Sequence, residues 1–291
     1  MKNKTKPQNY HDYLKLESLL SCQELVSDEI GERAHDEMLF IITHQVYELW
    51  FKQILFELDS IFKVFDRDNI DESHIGVVVG RLERINEIQQ LLIDQIKILE
   101  TMTPMDFLNF RDLLTPASGF QSAQFRLIEN KFGLKSINRH GYGGVDYKSK
   151  INKQEKELVQ ESEQSLSLFD LIEQWLERTP FLVFDEFDFW DQYREAVNKM
   201  IRKDKNVIKM NEKLPDDEKA NYLRQYKSTE KMFISFFDEE IFSKRLESGE
   251  NRLSYKATHA ALLILLYRDQ PILHNPYRLL SKLIDLDELL T

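Results

Sequence analysis

The sequence predicts an all-α protein, and three observations carry this prediction. No proline falls between Pro7 and Pro104, and the whole chain of 291 residues holds only 9 glycines and 7 prolines. Apolar residues between those prolines recur every three or four positions, which is the period of an α-helix. The only strand candidate is the β-branched run at 77–79. We therefore expect a single large helical domain over residues 1–291, with residues 1–32 as an N-terminal arm.

The first predicted helices follow from their start and stop signals. One helix runs from about Ala34 to Phe65, and the next ends before Thr103. Thr103 is expected to cap a third, short helix that has Pro104 at its first position. The second helix carries one apolar stripe, made of Ile85, Ile88, Leu92, Ile96 and Leu99.

The third helix places Phe107 and Arg111 one turn apart and stops at the turn residues 115–119. A fourth helix is predicted from Phe120 to Phe132, closed by Gly133. The remaining predicted segments are a loop or lid over 133–152, an amphipathic helix over 153–178, an apolar connector at 181–184, charged helices over about 188–211 and 215–245, a buried helix capped by Ser254, and a last helix opened by Pro276.

Composition excludes several classes of function. The formal net charge of −11 argues against a nucleic-acid-binding surface, which needs clustered Lys and Arg. The longest apolar run, 260–267, is too short to span a bilayer, and the N-terminus shows no signal peptide or anchor. A single cysteine, Cys22, fits a reducing cytoplasm. We therefore expect a cytoplasmic protein with a small or apolar ligand.

Metal-ligand motifs are weak in this chain. A di-iron carboxylate site requires paired Glu-x-x-His motifs on facing helices, and the chain lacks that pair. The spacing of Asp71 and His74 is a single approximation to such a motif, in an expected loop. The cluster at 35–37 begins a helix, where acidic residues are favoured by the helix dipole. We predict no metal-ligating side chain from these motifs.

The segment 35–58 is the most informative part of the sequence, because Thr43, His44 and Gln45 interrupt an otherwise apolar helix. A buried imidazole needs a hydrogen-bond partner inside the fold or on a ligand. Phe40 and His44 are four residues apart, so an aromatic ring and a titratable nitrogen share one helical face. The alternative is that His44 is a core histidine whose partners all lie within the fold.

Arg111 is the second candidate, because it lies beside Phe107 and Phe110 in an otherwise apolar stretch. Its planar guanidinium suits bidentate binding of a carboxylate, although an internal salt bridge is the alternative. Ser118 lies in a turn, where its hydroxyl is able simply to cap the following helix. An aromatic wall, an imidazole and a carboxylate-binding arginine together describe a pocket for an aromatic amino acid.

Several blocks of this chain resemble the tryptophan 2,3-dioxygenase family. The longest blocks are YHDYLKL at 10–16, HDEMLFIITHQVYELWFKQ at 35–53 and FRDLLTPASGFQSAQFRLIENK at 110–131. Shorter matches at 175–180, 252–255 and 267–271 extend the resemblance from about residue 10 to the end. The resemblance implies an all-α, haem-dependent homotetramer that acts in the kynurenine pathway of tryptophan catabolism. Such an oxidoreductase opens the indole ring of L-tryptophan with O2 to give N-formyl-L-kynurenine.

The resemblance also implies roles for individual residues. The catalytic position is His44, which matches the distal histidine that faces the indole nitrogen. The other positions bind substrate or cofactor: Phe40 and Phe107 match aromatic walls, Arg111 matches the arginine that binds the substrate carboxylate, Tyr10 matches a tyrosine contributed across a subunit boundary, and Ser118 matches a serine near the haem edge.

The chain departs from the family pattern at its end. In the family, the segment matching 285–291 is followed by a Trp-Arg pair, the proximal histidine that ligates haem iron, and a glycine-rich substrate loop. Neither His259 nor His274 stands at the matching place. Haem b is therefore in doubt for this chain length, and we expect weak haem binding and no dioxygenase activity from residues 1–291 alone. The alternatives are a truncated enzyme and a divergent, haem-free family member that binds an amino acid or serves assembly.

Overall fold

The computed structural model is all-α, as the sequence predicts. The sole strands among the described residues form a two-residue antiparallel ladder, in which Val183 pairs with Asp188 and Phe184 with Phe187. The strand candidate at 77–79 was wrong, because these residues lie inside a long helix. The structure describes residues 9–66, 70, 72–134, 151, 153–179, 183–184 and 187–290.

Two long helices dominate the first half of the chain, and short helices precede and follow them. Short 3-10 turns at Arg111–Leu114 and Gly119–Gln121 separate the last two α-helices of this half. The helices are α1 (Tyr10–Leu14), α2 (Leu16–Leu20), α3 (Val26–Glu29), α4 (Glu37–Phe65), α5 (Glu72–Leu99), α6 (Pro104–Leu108) and α7 (Ala123–Phe132).

The second half is a series of helices interrupted by the two short strands. A 3-10 turn at Pro271–Leu273 precedes the last helix. The elements are α8 (Lys153–Gln164), α9 (Leu168–Glu177), β1 (Val183–Phe184), β2 (Phe187–Asp188), α10 (Phe189–Met210), α11 (Asp216–Phe237), α12 (Glu239–Glu247), α13 (Tyr255–Leu266) and α14 (His274–Leu290).

The predicted helix ends with capping signals are confirmed. Thr103 and Asp106 form a capping box at the start of α6, in which each side chain accepts from the other residue's backbone N–H. Ser254 caps α13 by accepting from the backbone N–H of Ala257. Gly133 ends α7 with φ of 91°, in the left-handed region that glycine adopts most easily. These ends depend on local chemistry that the sequence displays directly.

Several predicted helices were wrong in their extent. The helix predicted from Phe120 begins at Ala123, after a 3-10 turn, and the last helix begins at His274 and not at Pro276. Arg111 does not share a helix with Phe107, because α6 ends at Leu108 and Arg111 begins a 3-10 turn. The helix predicted over 153–178 breaks at 165–167, where Ser167 forms a capping box with Asp170. The helix predicted over 215–245 breaks at Asp238, whose carboxylate caps α12 through the N–H of Ile241.

The predicted apolar stripe of α5 is buried over only part of its length. Ile85, Ile88 and Leu92 are buried, whereas Ile96 is exposed. The stripe therefore packs inside the fold near the middle of α5 and faces solvent near its end. The predicted loop or lid over 133–152 falls almost wholly outside the described residues, as do 181 and 182 of the apolar connector.

The chain divides into two compact units, and the prediction of a single domain stays a prediction. Unit 1 comprises Met1–Ser60, Arg81–Ser165 and Asp285–Thr291, and unit 2 comprises Ile61–Gly80 and Leu166–Ile284. The core of unit 1 contains Ile54, Leu58, Leu82, Ile85, Phe110 and Ile128, and that of unit 2 contains Ile61, Ile75, Leu168, Leu176, Phe189 and Phe242.

The N-terminal arm is attached to the start of α4 by a buried carboxylate. Glu37 accepts from the backbone N–H groups of Val26 and Ser27, each at 3.0 Å, and from the Ser27 hydroxyl. The Ser27 hydroxyl oxygen in turn accepts from the N–H of Ala34 at 3.0 Å. A buried carboxylate is tolerated where hydrogen bonds replace its water, as they do here.

Unit 2 encloses a buried histidine among aromatic rings. The His259 ring stacks on Trp190 with centroids 3.3 Å apart, and its edge meets Tyr255 at 4.0 Å. Burial in these apolar surroundings disfavours the imidazolium and lowers the pKa of His259 to about 4. His259 is therefore neutral at pH 7 in the folded protein.

None of the helices in the described part of the chain has the length and apolar composition that a membrane span requires.

We expect His259 to make the protein less stable in acid. The unfolded chain protonates this imidazole near its ordinary pKa of 6.5, whereas the folded pKa is about 4. The contribution of the neutral His259 to the free energy of unfolding is therefore fully present above pH 6.5 and is lost as the pH falls toward 4. The total loss is up to about 3 kcal/mol. Urea unfolding of His259→Gln at several pH values should show a flatter profile between pH 7 and 4 than the unaltered protein. His35→Gln, at an exposed position, is the control; equal slopes for all three proteins would contradict the prediction.

Candidate active site

The candidate site is built on α4, where Phe40 and His44 lie one turn apart. Their ring centroids are 4.1 Å apart with the planes tilted by 37°. The Nδ1 atom of His44 lies 2.7 Å from the carbonyl oxygen of Phe40. Because a carbonyl oxygen only accepts hydrogen bonds, Nδ1 carries the hydrogen and donates. In the neutral imidazole the Nε2 atom then holds a lone pair and is a hydrogen-bond acceptor.

Two phenylalanines extend the ring surface of α4, and together with Phe40 and His44 they form what we call the aromatic pocket. Phe107 lies 5.8 Å from Phe40 between ring centroids, and Phe110 lies 5.6 Å from Phe40 and 5.4 Å from Phe107. These separations are typical of tilted and edge-to-face aromatic pairs. Phe110 is fully buried, whereas Phe40, His44 and Phe107 are half-buried. Phe110 thus forms the base of the pocket, and the other three rings keep part of their surface open.

The 115–121 segment brings a backbone without a side chain close to the imidazole. A Cβ atom built on Gly119 would lie 3.9 Å from Nε2 of His44. Ser118, the preceding residue, is half-buried, and its N–H donates to the Gln121 side-chain oxygen at 3.1 Å. The cap of α7 is Ser122, which accepts from the N–H of Phe125, and not Ser118.

Arg111 follows the base of the pocket directly in sequence. It opens the 3-10 turn after Phe110 and is exposed. No hydrogen bond or ion pair joins its guanidinium to another residue in the described part of the chain. The alternative of an internal salt bridge for Arg111 is therefore not observed among the described residues. A planar guanidinium without an internal partner is free to bind a carboxylate from a ligand.

The structure brings together three of the six predicted site residues, Phe40, His44 and Phe107. Phe40 contacts both His44 and Phe107, and a Cβ on Gly119, the residue after Ser118, would lie 3.9 Å from Nε2 of His44. Tyr10 stands apart: it begins α1 and is 74% exposed. Its predicted role across a subunit boundary is not tested by a single chain.

Sequence reasoning missed two residues that position the site. Glu37 was assigned only to the helix start, yet its carboxylate joins the arm to α4 through Val26 and Ser27. Gln45, the neighbour of His44, donates to the carbonyl oxygen of Cys22 at 2.9 Å and accepts from the Gln23 amide at 2.6 Å. Both attachments join residues far apart in sequence, so no local pattern predicts them.

The aromatic rings and the free Nε2 of His44 suit an aromatic group with one hydrogen-bond donor. The described residues contain no group of three or more His, Cys, Asp or Glu side chains placed to hold a metal ion. The polar features at the pocket are the imidazole acceptor of His44 and the positive charge of Arg111, one residue beyond its base. The carboxylate-binding role expected for Arg111 stays a prediction, because its place rests on its position directly after Phe110 in the chain.

Comparison with known proteins agrees with the motifs. The family model described as Tryptophan 2,3-dioxygenase matches residues 1–291. The tryptophan 2,3-dioxygenase of Bdellovibrio bacteriovorus is 54% identical over 98% of this chain and 79% of its own length. Those of Dictyostelium discoideum and Xenopus tropicalis are 49% and 45% identical over 97% of this chain, and over 70% and 69% of their own lengths. The chain therefore belongs to the tryptophan 2,3-dioxygenase family.

Proposed function

We propose that this chain is a tryptophan 2,3-dioxygenase, which opens the indole ring of L-tryptophan with O2 to give N-formyl-L-kynurenine. The observation that carries the proposal is the Nε2 acceptor of His44 beside the open faces of Phe40 and Phe107. Indole is a flat apolar ring system with one N–H donor and no nitrogen acceptor. A ring wall that ends in a single acceptor is complementary to it. All three relatives named above are tryptophan 2,3-dioxygenases, and none supports the haem-free alternative.

In this proposal the aromatic pocket orients the substrate. Phe40 and Phe107 contact the faces or edges of the indole, and His44 accepts its N–H through Nε2. The hydrogen bond to Phe40 holds the imidazole in one tautomer and one orientation. Binding energy spent on orientation lowers the barrier of the chemical step, because the ring does not have to search for its reactive position.

Arg111 is proposed to bind the substrate carboxylate. Its guanidinium has no internal partner among the described residues and follows the buried Phe110. The fork of two N–H groups matches the two oxygens of a carboxylate, which fixes the amino-acid end while His44 fixes the indole end. Two fixed ends separated by an apolar wall select an aromatic amino acid over a free indole.

Haem b is the proposed cofactor, and when bound it would supply the activation of O2. The residues present fit the substrate-facing side of such a group, because Gly119 lies near His44 and leaves the space before Nε2 without a side chain. Of the described histidines in unit 1, His11 and His35 are exposed, and the pocket holds His44 alone. We assign His44 to the substrate, and we assign no described residue of unit 1 to the iron.

A homotetramer is the proposed assembly, with Tyr10 reaching a neighbouring subunit's site. The support is an exposed apolar row on α4, where Ile42, Leu49 and Phe56 are 44%, 50% and 69% exposed. Residues seven apart lie on one helical face, as in the seam of a coiled coil. Unit 1 also has a groove of about 380 Å³. It is lined by Trp50, Gln53, Arg84, Glu87, Ile88 and Leu91.

Such a row is the kind of surface that subunit contacts cover, because monomers rarely leave apolar patches of this size exposed. In the proposed tetramer, a second copy of this chain covers the row. A cytoplasmic location is proposed with it, on the single cysteine and the tryptophan chemistry.

The His44→Ala variant tests the proposed active site. Loss of one neutral hydrogen bond to the indole is worth about 1 kcal/mol, so in a haem-loaded form that turns over L-tryptophan the rate should fall by about fivefold or more. Haem content should stay unchanged, because the variant removes a substrate contact. N-formylkynurenine formation and the haem absorption spectrum measure the two effects, with His35→Ala as the control. Loss of haem from His44→Ala would show that the residue holds the cofactor and would overturn its assignment to the substrate.

The Arg111 variants test the amino-acid end of the pocket. Arg111→Ala should weaken L-tryptophan binding by about 1.5–3 kcal/mol, because a charge-assisted hydrogen bond is lost. Arg111→Lys should weaken it less, since a point charge replaces the fork. Calorimetric titration of the haem-loaded protein measures both, with Arg202→Ala as a surface control. If both variants bind as tightly as the control, Arg111 does not belong to the site.

The Phe56→Asp variant tests the proposed assembly. A charge at Phe56, the most exposed residue of the row, should split the tetramer, because an unpaired carboxylate is costly to bury in a subunit contact. Sedimentation velocity should then report a smaller species. The control is Met210→Asp, which changes a residue that is equally apolar and 81% exposed on α10. An unchanged tetramer in Phe56→Asp would show that the row is not covered by another subunit.

A further inference from the structure

We propose that Gly119 is a specificity-determining residue, whose missing side chain reserves the space beside Nε2 of His44 for a two-ring aromatic donor. The proposal rests on the proposed function and names what selects its substrate. It assigns a role to a glycine that neither a turn nor a helix end explains.

The backbone at Gly119 does not require glycine. Among the described glycines, Gly31, Gly133 and Gly249 have φ of 77°, 91° and 78°, a region that side chains rarely tolerate. Gly119 is not in that region. Any L-residue is able to adopt its backbone conformation, so conformational freedom is not the reason for a glycine there.

Packing within the chain does not require glycine either. A Cβ on Gly119 would meet only one described atom within 4 Å, the Nε2 of His44 at 3.9 Å, which is an ordinary contact distance. Gly80, by comparison, would meet nothing. The protein itself therefore has room for alanine at 119, and the proposed role of the glycine concerns the space in front of the imidazole.

The nitrogen that a side chain at 119 would approach is the acceptor of the site. Because Nδ1 of His44 is committed to Phe40, Nε2 is the ring nitrogen left for a ligand. A donor nitrogen lies about 2.9 Å from its acceptor. A Cβ at residue 119 would lie 3.9 Å from the same Nε2 atom, so the donor and this side chain would both lie close to Nε2. An indole carries ring carbons on both sides of its N–H and needs clearance there. Glycine at 119 supplies that clearance next to half-buried Ser118.

The test uses Gly119→Ala and Gly119→Val in the full chain, with Gly80→Ala as the control. Circular dichroism first establishes that each variant is folded. One arm measures the affinity of the haem-loaded proteins for L-tryptophan by calorimetry. The second arm needs no substrate: diethyl pyrocarbonate, which acylates accessible imidazole nitrogen, is added, and mass spectrometry measures its rate of reaction at His44.

We expect Gly119→Ala to weaken L-tryptophan binding by about threefold to tenfold and Gly119→Val by more than tenfold, in proportion to the added bulk. Acylation of His44 should slow in the same order, and Gly80→Ala should match the unaltered protein in both arms. Acylation that is equally fast in all variants would overturn the inference, as would unchanged affinity in Gly119→Val. If the unaltered protein binds no tryptophan while the variants still slow acylation, the proposed function fails and the shielding role of residue 119 stands.

Discussion

The hydrogen bond from Nδ1 of His44 to the carbonyl oxygen of Phe40 determines the chemistry of the candidate site. At 2.7 Å and with a partner that only accepts, it leaves Nε2 as an acceptor in the neutral ring. The bond needs no distant residue, because a four-residue separation on α4 brings the imidazole over the carbonyl of the preceding turn. The other residues of the pocket are arranged around that acceptor: three aromatic rings line it, Gly119 leaves it uncovered, and Arg111 follows the buried base.

The position of α4 depends in turn on the buried carboxylate of Glu37. Hydrogen bonds to charged groups are stronger than neutral ones, and Glu37 takes two backbone N–H groups and one hydroxyl from the arm. A second attachment, through Gln45, joins the arm to the residue next to His44. The arm that carries Tyr10 is therefore held to the same helix as the imidazole. These hydrogen bonds attach the N-terminal arm to the helix that carries His44.

Features of the fold and the site that depend on local signals were predictable from the sequence. Features that depend on tertiary contacts were not. The Thr103 cap and the sharing of a face by Phe40 and His44 follow from spacings of three and four residues. The exclusion of Arg111 from α6 does not follow from such spacings. The buried Phe110 before it has φ of −131° and ψ of −3°, which are not helical values. Glu37 and Gly119 gain their importance from partners seven or more residues away, which periodicity does not reveal. The break at Ser167 was readable as Ser-x-x-Asp, but the amphipathic pattern on either side masked it.

The tautomer of His44 is the central claim, and nitrogen-15 NMR of the protein labelled at histidine measures it directly. The two ring nitrogens of a neutral imidazole differ strongly in chemical shift, according to which one carries the hydrogen. In the neutral ring without substrate, we expect His44 to carry its hydrogen on Nδ1 and to show an Nε2 with the shift of a lone-pair nitrogen. Addition of L-tryptophan should then move the Nε2 resonance toward that of a hydrogen-bonded acceptor. A spectrum with the hydrogen on Nε2 would contradict the account, because His44 would then be unable to accept the indole N–H.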